Sequence, residues 1–107
     1  MLEVNKLVVI LEEKKAQDIQ ILDFKNVSSL FDYFIICTAQ NIRQIQALVD
    51  AIELSLKQEN HKIRSIEGKP ESGWVLVDLY DVIIHIFTEG QRDYYQLEKL
   101  WMGLEVK

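Results

Sequence analysis

The chain predicts an α/β fold, a sandwich around a mixed sheet of about five strands, in one domain over residues 1–107. Three observations carry this. Two segments place apolar residues at helical spacing, Val4, Leu7, Val8 and Leu11 in the first and Ile42, Ile45, Leu48, Val49, Ile52 and Leu56 in the second. Tyr33 to Thr38 is a near-continuous run of β formers, which suits a strand buried on both faces with helices covering the sheet. Trp74–Asp78 and Val82–Phe87 are joined only by Leu79, Tyr80 and Asp81, and so short a link forces an antiparallel hairpin.

In chain order, Leu2 to Lys15 reads as an amphipathic helix whose last turn carries Lys14 and Lys15, where cations complement the helix dipole. Asp18 to Leu22 alternates polar and apolar, with Ile19 and Ile21 on one face of a short strand. A polar turn follows at Lys25 to Ser29, then the Tyr33 strand. Asn41 is the predicted N-cap of the second helix, with Gln44 in the capping-box position and Asn60 or His61 at its end. Ile63 to Glu67 reads as a strand, and Gly68 to Gly73 as a loop, with Gly90 also assigned to a loop. After the hairpin, Gln91 to Met102 is the last helix. The order αββαβββα places the parallel pairing between the Tyr33 strand and the Ile63 strand, across the second helix.

Apolar residues make up 49% of the 107, enough for a core that buries roughly two-thirds of the unfolded surface. No stretch approaches the ~20 apolar residues of a membrane span. A single cysteine, Cys37, excludes an internal disulfide and fits a reducing compartment. The N-terminus has neither a basic leader with a cleavage site nor an Arg-rich, acid-poor transit sequence, so a cytoplasmic location is expected. With 12 Lys and Arg against 17 Asp and Glu, the net charge is −5 and no basic run exists. Binding to nucleic acid draws most of its affinity from phosphate neutralisation, so little or no direct nucleic-acid binding is expected. A basic partner protein suits the surface better.

Catalytic chemistry finds little footing. Cys37 lies within an apolar run, as inert buried thiols do, and His61 and His85 are too far apart in sequence to suggest a metal cluster. Asp78 and Asp81 flank a tight turn and lack the alternate-residue spacing that puts two carboxylates on one strand face. No glycine-rich phosphate cradle is present, so no cofactor is expected. His85 interrupts an apolar strand and shares a face with Ile83 and Phe87. It is either a half-buried histidine bonded to a neighbour or a polar contact on a binding surface. Trp74, Tyr80, Tyr94 and Tyr95 concentrate aromatic surface in the C-terminal half. They either complete the core and decorate a turn, or anchor an interface, where Trp and Tyr are over-represented.

Several blocks recur in order over Asp18 to Trp101: Asp32-Tyr-Phe-Ile-Ile-Cys-Thr38, Arg43-Gln44, Glu67-Gly68, Gly73-Trp-Val-Leu-Val-Asp78, Asp81-Val-Ile-Ile-His-Ile-Phe87 and Arg92-Asp-Tyr-Tyr-Gln-Leu-Glu-Lys-Leu-Trp101. Together they resemble the ribosome silencing factors, the Iojap-like family. The resemblance implies a nucleotidyltransferase-like fold without that activity. It also implies binding to the large ribosomal subunit through ribosomal protein uL14, which blocks joining with the small subunit and represses translation under nutrient limitation. Carried onto this chain, the uL14 surface comprises Trp74 as apolar anchor with Leu76 beside it, and Asp78 and Asp81 facing basic groups. Tyr80, Tyr94 and Tyr95 flank the patch, with His85 as a further member. The rival expectations are a nucleotide-binding protein of nucleotidyltransferase fold and a homodimer that uses the aromatic patch on itself. Two positions depart from the family pattern: Thr38-Ala-Gln-Asn41 stands where Thr-Gly-x-Ser is usual, and Tyr80 where the hairpin usually has glycine.

Overall fold

The computed structural model describes residues 4–106. The first helix, α1 (Val4–Glu13), buries Leu7 and Leu11, with Val4 and Val8 half-buried beside them. The predicted start at Leu2 lies outside the described residues. Lys15 turns the chain out of the helix with φ +67, and the amide of Ala16 donates back to the carbonyl of Leu11. Strand β1 (Gln17–Asp23) then pairs antiparallel with β2 (Tyr33–Ala39), with a register shift between Gln17 and Gln20 where Asp18 takes a positive φ.

Helix α2 (Ile42–Gln58) begins as its sequence predicts: the Asn41 side chain accepts from the amide of Gln44 at 2.8 Å. The Gln44 side chain does more than close a capping box. Its oxygen accepts from the amide of Gln40, and its nitrogen donates to the carbonyls of Lys14 and Lys15, satisfying the end of α1 with the start of α2. β3 (Ser65–Glu67), β4 (Trp74–Asp78), β5 (Val82–Thr88) and α3 (Glu89–Tyr95) follow.

The sheet order is β1-β2-β5-β4-β3, and the only parallel pair among these strands is β2 with β5. The expected pairing of the Tyr33 and Ile63 strands does not form. β3 runs in the direction of β2, but β5 and β4 lie between them, because the hairpin inserts into the sheet next to β2 and leaves β3 at the edge. β3 is also shorter than predicted, and Ile63 packs into the core from the preceding loop.

The last helix is shorter than Gln91–Met102 too. It stops at Tyr95, Gln96 adopts φ +47, and Leu97–Trp101 continues as a 3₁₀ segment. The break turns Leu97 and Trp101 onto the sheet, which one straight helix of that length would not do. Gly90 lies inside α3 and not in a loop.

The sheet has two unequal faces. One face, with Ile35, Cys37, Val75, Val77, Ile84 and Ile86, packs under α1 and α2 as the main core. The opposite face is covered at one side only, where Leu22, Phe24, Ile36 and Phe87 lie beneath Leu97, Trp101 and Leu104. Arg92 fastens this cover. Its guanidinium donates to the carbonyl of Asp18 at 2.6 Å, the Thr38 hydroxyl at 2.8 Å and the Glu98 carboxylate at 3.1 Å. The tail then runs antiparallel to β1: the amide of Asp23 donates to the carbonyl of Leu104, and that of Val106 to the carbonyl of Ile21.

Candidate functional site

The uncovered half of the second face is where the singled-out aromatics gather. Alternation along β4 sends Val75 and Val77 into the main core and leaves Trp74, Leu76 and Asp78 half-buried on the other side. Opposite them in register on β5 stand Phe87, His85 and Ile83. Trp74 stacks on Phe87 with ring centroids 4.8 Å apart, and Tyr95 of α3 leans on the indole at 4.6 Å. Tyr94 meets Tyr95 edge-on at 5.0 Å and is 78% exposed. Glu67, Gly68, Ser72, Trp74, Leu76 and Tyr95 line a groove of about 310 Å³.

The loop before β4 is built to present Trp74. Gly68, at φ +86, passes so close to the strand that a Cβ there would lie 2.4 Å from the Trp74 carbonyl oxygen. Pro70–Ser72 forms a 3₁₀ turn, closed by Gly73 at φ +79, and the Ser72 hydroxyl donates to the carbonyl of Lys69. The turn thus fixes the Trp74 backbone, and the indole packs against a cross-strand ring and a helix-borne tyrosine.

The far end of β4, about 13 Å away at strand rise, has a different character. The Asp78 carboxylate accepts from the amide of Tyr80 at 2.9 Å, and its other oxygen lies 3.9 Å from Arg64. Asp81 donates its amide to the carbonyl of Leu79, a γ-turn centred on Tyr80, whose φ is +74. The Tyr80 ring is 50% exposed and lies 5.6 Å from the Arg64 guanidinium.

The predicted site residues thus divide. Trp74, Leu76, Tyr94 and Tyr95 form one apolar surface. Asp78 and Tyr80 sit at the other end of the same strand face. Asp81 lies apart, lining a separate groove with Asp23 and Asp32. His85 is only 4% exposed: its Nδ1 accepts from the Trp74 indole N–H at 3.1 Å, and Phe34 meets its ring edge-on at 4.6 Å. Burial lowers its pKa from 6.5 to about 4, so the ring is neutral near pH 7.

Sequence reasoning missed Phe31 and Phe34, which extend the apolar surface beyond β5. Phe31 stacks on Phe34 at 4.9 Å. Phe34 follows from period-two alternation once the β2–β5 pairing is known, since it stands opposite Ile83. Arg64 carried no signal in a strand pattern. Cys37 points to the other face of the sheet from His85, fully buried, with its thiol pushed up to about 12 by desolvation.

Comparison with known proteins identifies the family. The family model described as "ribosomal silencing factor during starvation" matches residues 2–107. The chain belongs to the ribosomal silencing factor family. The silencing factor of Bacillus subtilis is 41% identical over 84% of this chain and 76% of its own length. That of Chromobacterium violaceum is 39% identical over 94% and 84%. A more distant relative, the mouse "mitochondrial assembly of ribosomal large subunit protein 1", is 32% identical over 92% of this chain and 45% of its own. A crystal structure of a Chromobacterium violaceum protein superposes with a TM-score of 0.86 at 34% identity, covering 99% of this chain and 92% of that one.

Proposed function

We propose that this silencing-factor chain acts in the cytoplasm as a non-catalytic binding domain. It docks on the large ribosomal subunit through ribosomal protein uL14, blocks joining with the small subunit, and represses translation under nutrient limitation. The observation that carries the reading is the half-covered sheet face, which leaves Trp74, Leu76, Tyr95 and Tyr94 as a contiguous apolar surface around a groove. An aromatic anchor beside a groove, with polar groups at its margin, is the anatomy of an interface hot spot. The family name and the names of its relatives supply the direction, since they speak of silencing ribosomes and of assembling the large subunit.

In this reading Trp74 is the anchor, and Leu76, Tyr94 and Tyr95 widen the apolar contact. Asp78 faces a basic group of uL14, Tyr80 extends the contact at the hairpin tip, and Asp81 meets a basic group at the margin. With a net charge of −5, the surface favours a basic protein over direct contact with nucleic acid.

Sedimentation with separated subunits, followed by a joining assay, tests the reading. The parent should travel with large subunits and lower the yield of joined ribosomes, and Trp74→Ala should lose at least tenfold in affinity while folding normally. Equal binding by a folded Trp74→Ala variant would refute the assignment of the surface. A parent that stays at the top of the gradient as a dimer would move the aromatic patch to a self-interface.

A further inference from the structure

Of the residues expected at the partner surface, His85 is the one that no partner can reach. Its ring is 4% exposed, beneath Trp74 and against the edge of Phe34, with Leu76 opposite it on β4. Its polar atoms are not idle. Nδ1 accepts the indole N–H of Trp74 at 3.1 Å, which requires a lone pair on that nitrogen, and the proton of the neutral ring then sits on Nε2. Nε2 is buried and meets no hydrogen-bond partner among the described residues. A buried donor without a partner costs free energy, and an apolar side chain would fill this site between Phe34 and Phe87 without that cost. Among the described residues, the polar contact that the ring makes is the one at Nδ1.

What Nδ1 does is fix the indole. Trp74 is half-buried, and Phe87 and Tyr95 restrain its ring plane by contact alone, which leaves rotation about its side-chain torsions incompletely set. A single directional bond at the edge of the ring selects one orientation. We propose that His85 is a positioning residue, which holds the Trp74 indole in its docking orientation through the Nε1–Nδ1 hydrogen bond. This deepens the interface reading above and rests on it. Orientation set before docking does not have to be imposed by the partner, so the effect appears as affinity.

The test uses the full chain and three variants. His85→Leu removes the acceptor and keeps an apolar filler. His85→Asn restores an acceptor near the place of Nδ1. Trp74→Phe assigns the Trp74 indole signal against that of Trp101 in ¹H–¹⁵N spectra. In the parent, the Trp74 indole proton should exchange slowly. In His85→Leu it should shift and exchange at least tenfold faster, with large-subunit affinity down about threefold to tenfold. His85→Asn should recover part of both, whereas a purely space-filling role would leave it no better than His85→Leu. A folded His85→Leu that binds as the parent does, with the parent bound, overturns the positioning role alone. A parent that binds no large subunits overturns the interface reading and the proposal together.

Discussion

Replacing Arg92 by alanine is the sharpest test of how the half-covered face is held. The Arg92 side chain is 10% exposed, and its guanidinium serves three acceptors: the Asp18 carbonyl, the Thr38 hydroxyl and the Glu98 carboxylate. Removing one partner of a buried ion pair costs roughly 3–5 kcal/mol, because the remaining charge loses its compensation. Glu98 retains 24% exposure and can turn toward water, which sets the expectation at the lower end, about 3 kcal/mol. For a chain of this size, that is a fall of roughly 10–20 °C in melting temperature. Urea denaturation followed by circular dichroism measures it, with Glu98→Ala and the double variant completing a cycle. The double variant should lose less than the sum of the two single losses, since neither charge is then stranded. A loss below about 1 kcal/mol for Arg92→Ala would refute the reasoning, because it would place the pair in effectively aqueous surroundings.

Three further outcomes follow from the same geometry. His85 is held neutral, with its pKa moved from 6.5 to about 4. Stability from this group is therefore complete above about pH 6.5 and is lost as pH falls through 4, by up to roughly 3 kcal/mol at 1.36 kcal/mol per unit. A pH series of urea melts should show this component in the parent and lose it in His85→Leu. Tyr80→Asn should leave stability unchanged or raise it by about 0.5–1 kcal/mol, since asparagine tolerates the positive φ of the γ-turn. A drop beyond 0.5 kcal/mol in a chemical melt would mean that the Arg64 contact outweighs the strain. Gly68→Ala should cost at least about 2 kcal/mol, from its φ of +86 and the clash of the added Cβ with the Trp74 carbonyl oxygen. A melt within 0.5 kcal/mol of the parent would contradict it.

Periodicity exposed most of the local structure. Of the stripe Ile42, Ile45, Leu48, Val49, Ile52 and Leu56, all but Ile42, exposed in the first turn, are buried as the wheel requires, Asn41 caps α2, and alternation alone put Trp74 and Leu76 on one face of β4. The failures were non-local. Which strand neighbours β2 depends on where the hairpin inserts, and strand patterns are identical for either neighbour, so the β2–β5 pairing could not be read from them. The break at Gln96 was hidden because its αL conformation leaves no glycine to mark it. The site was legible as a set of residue types, but Phe31, Phe34 and Arg64 join its neighbourhood only through pairings that the sequence pattern leaves open. His85 shows the same limit: its face was predictable, but its depth depends on Trp74 folding over it.

The way the tail lies along β1 gives the last residues an unexpected responsibility. Those residues look dispensable by exposure, with Glu105 and Val106 both open to solvent. Yet their backbone pairs with Ile21 to Asp23 on the outer side of β1, while the opposite border of the sheet ends in the three residues of β3. Trimming the chain after Gly103 would leave the Asp23 amide and the Ile21 carbonyl unmatched at this border, a template on which another copy can add its own strand. Leu104 to Val106 thus shield part of an open edge as well as closing the apolar cluster, and their removal should show as lost solubility on storage in addition to a lower melting temperature.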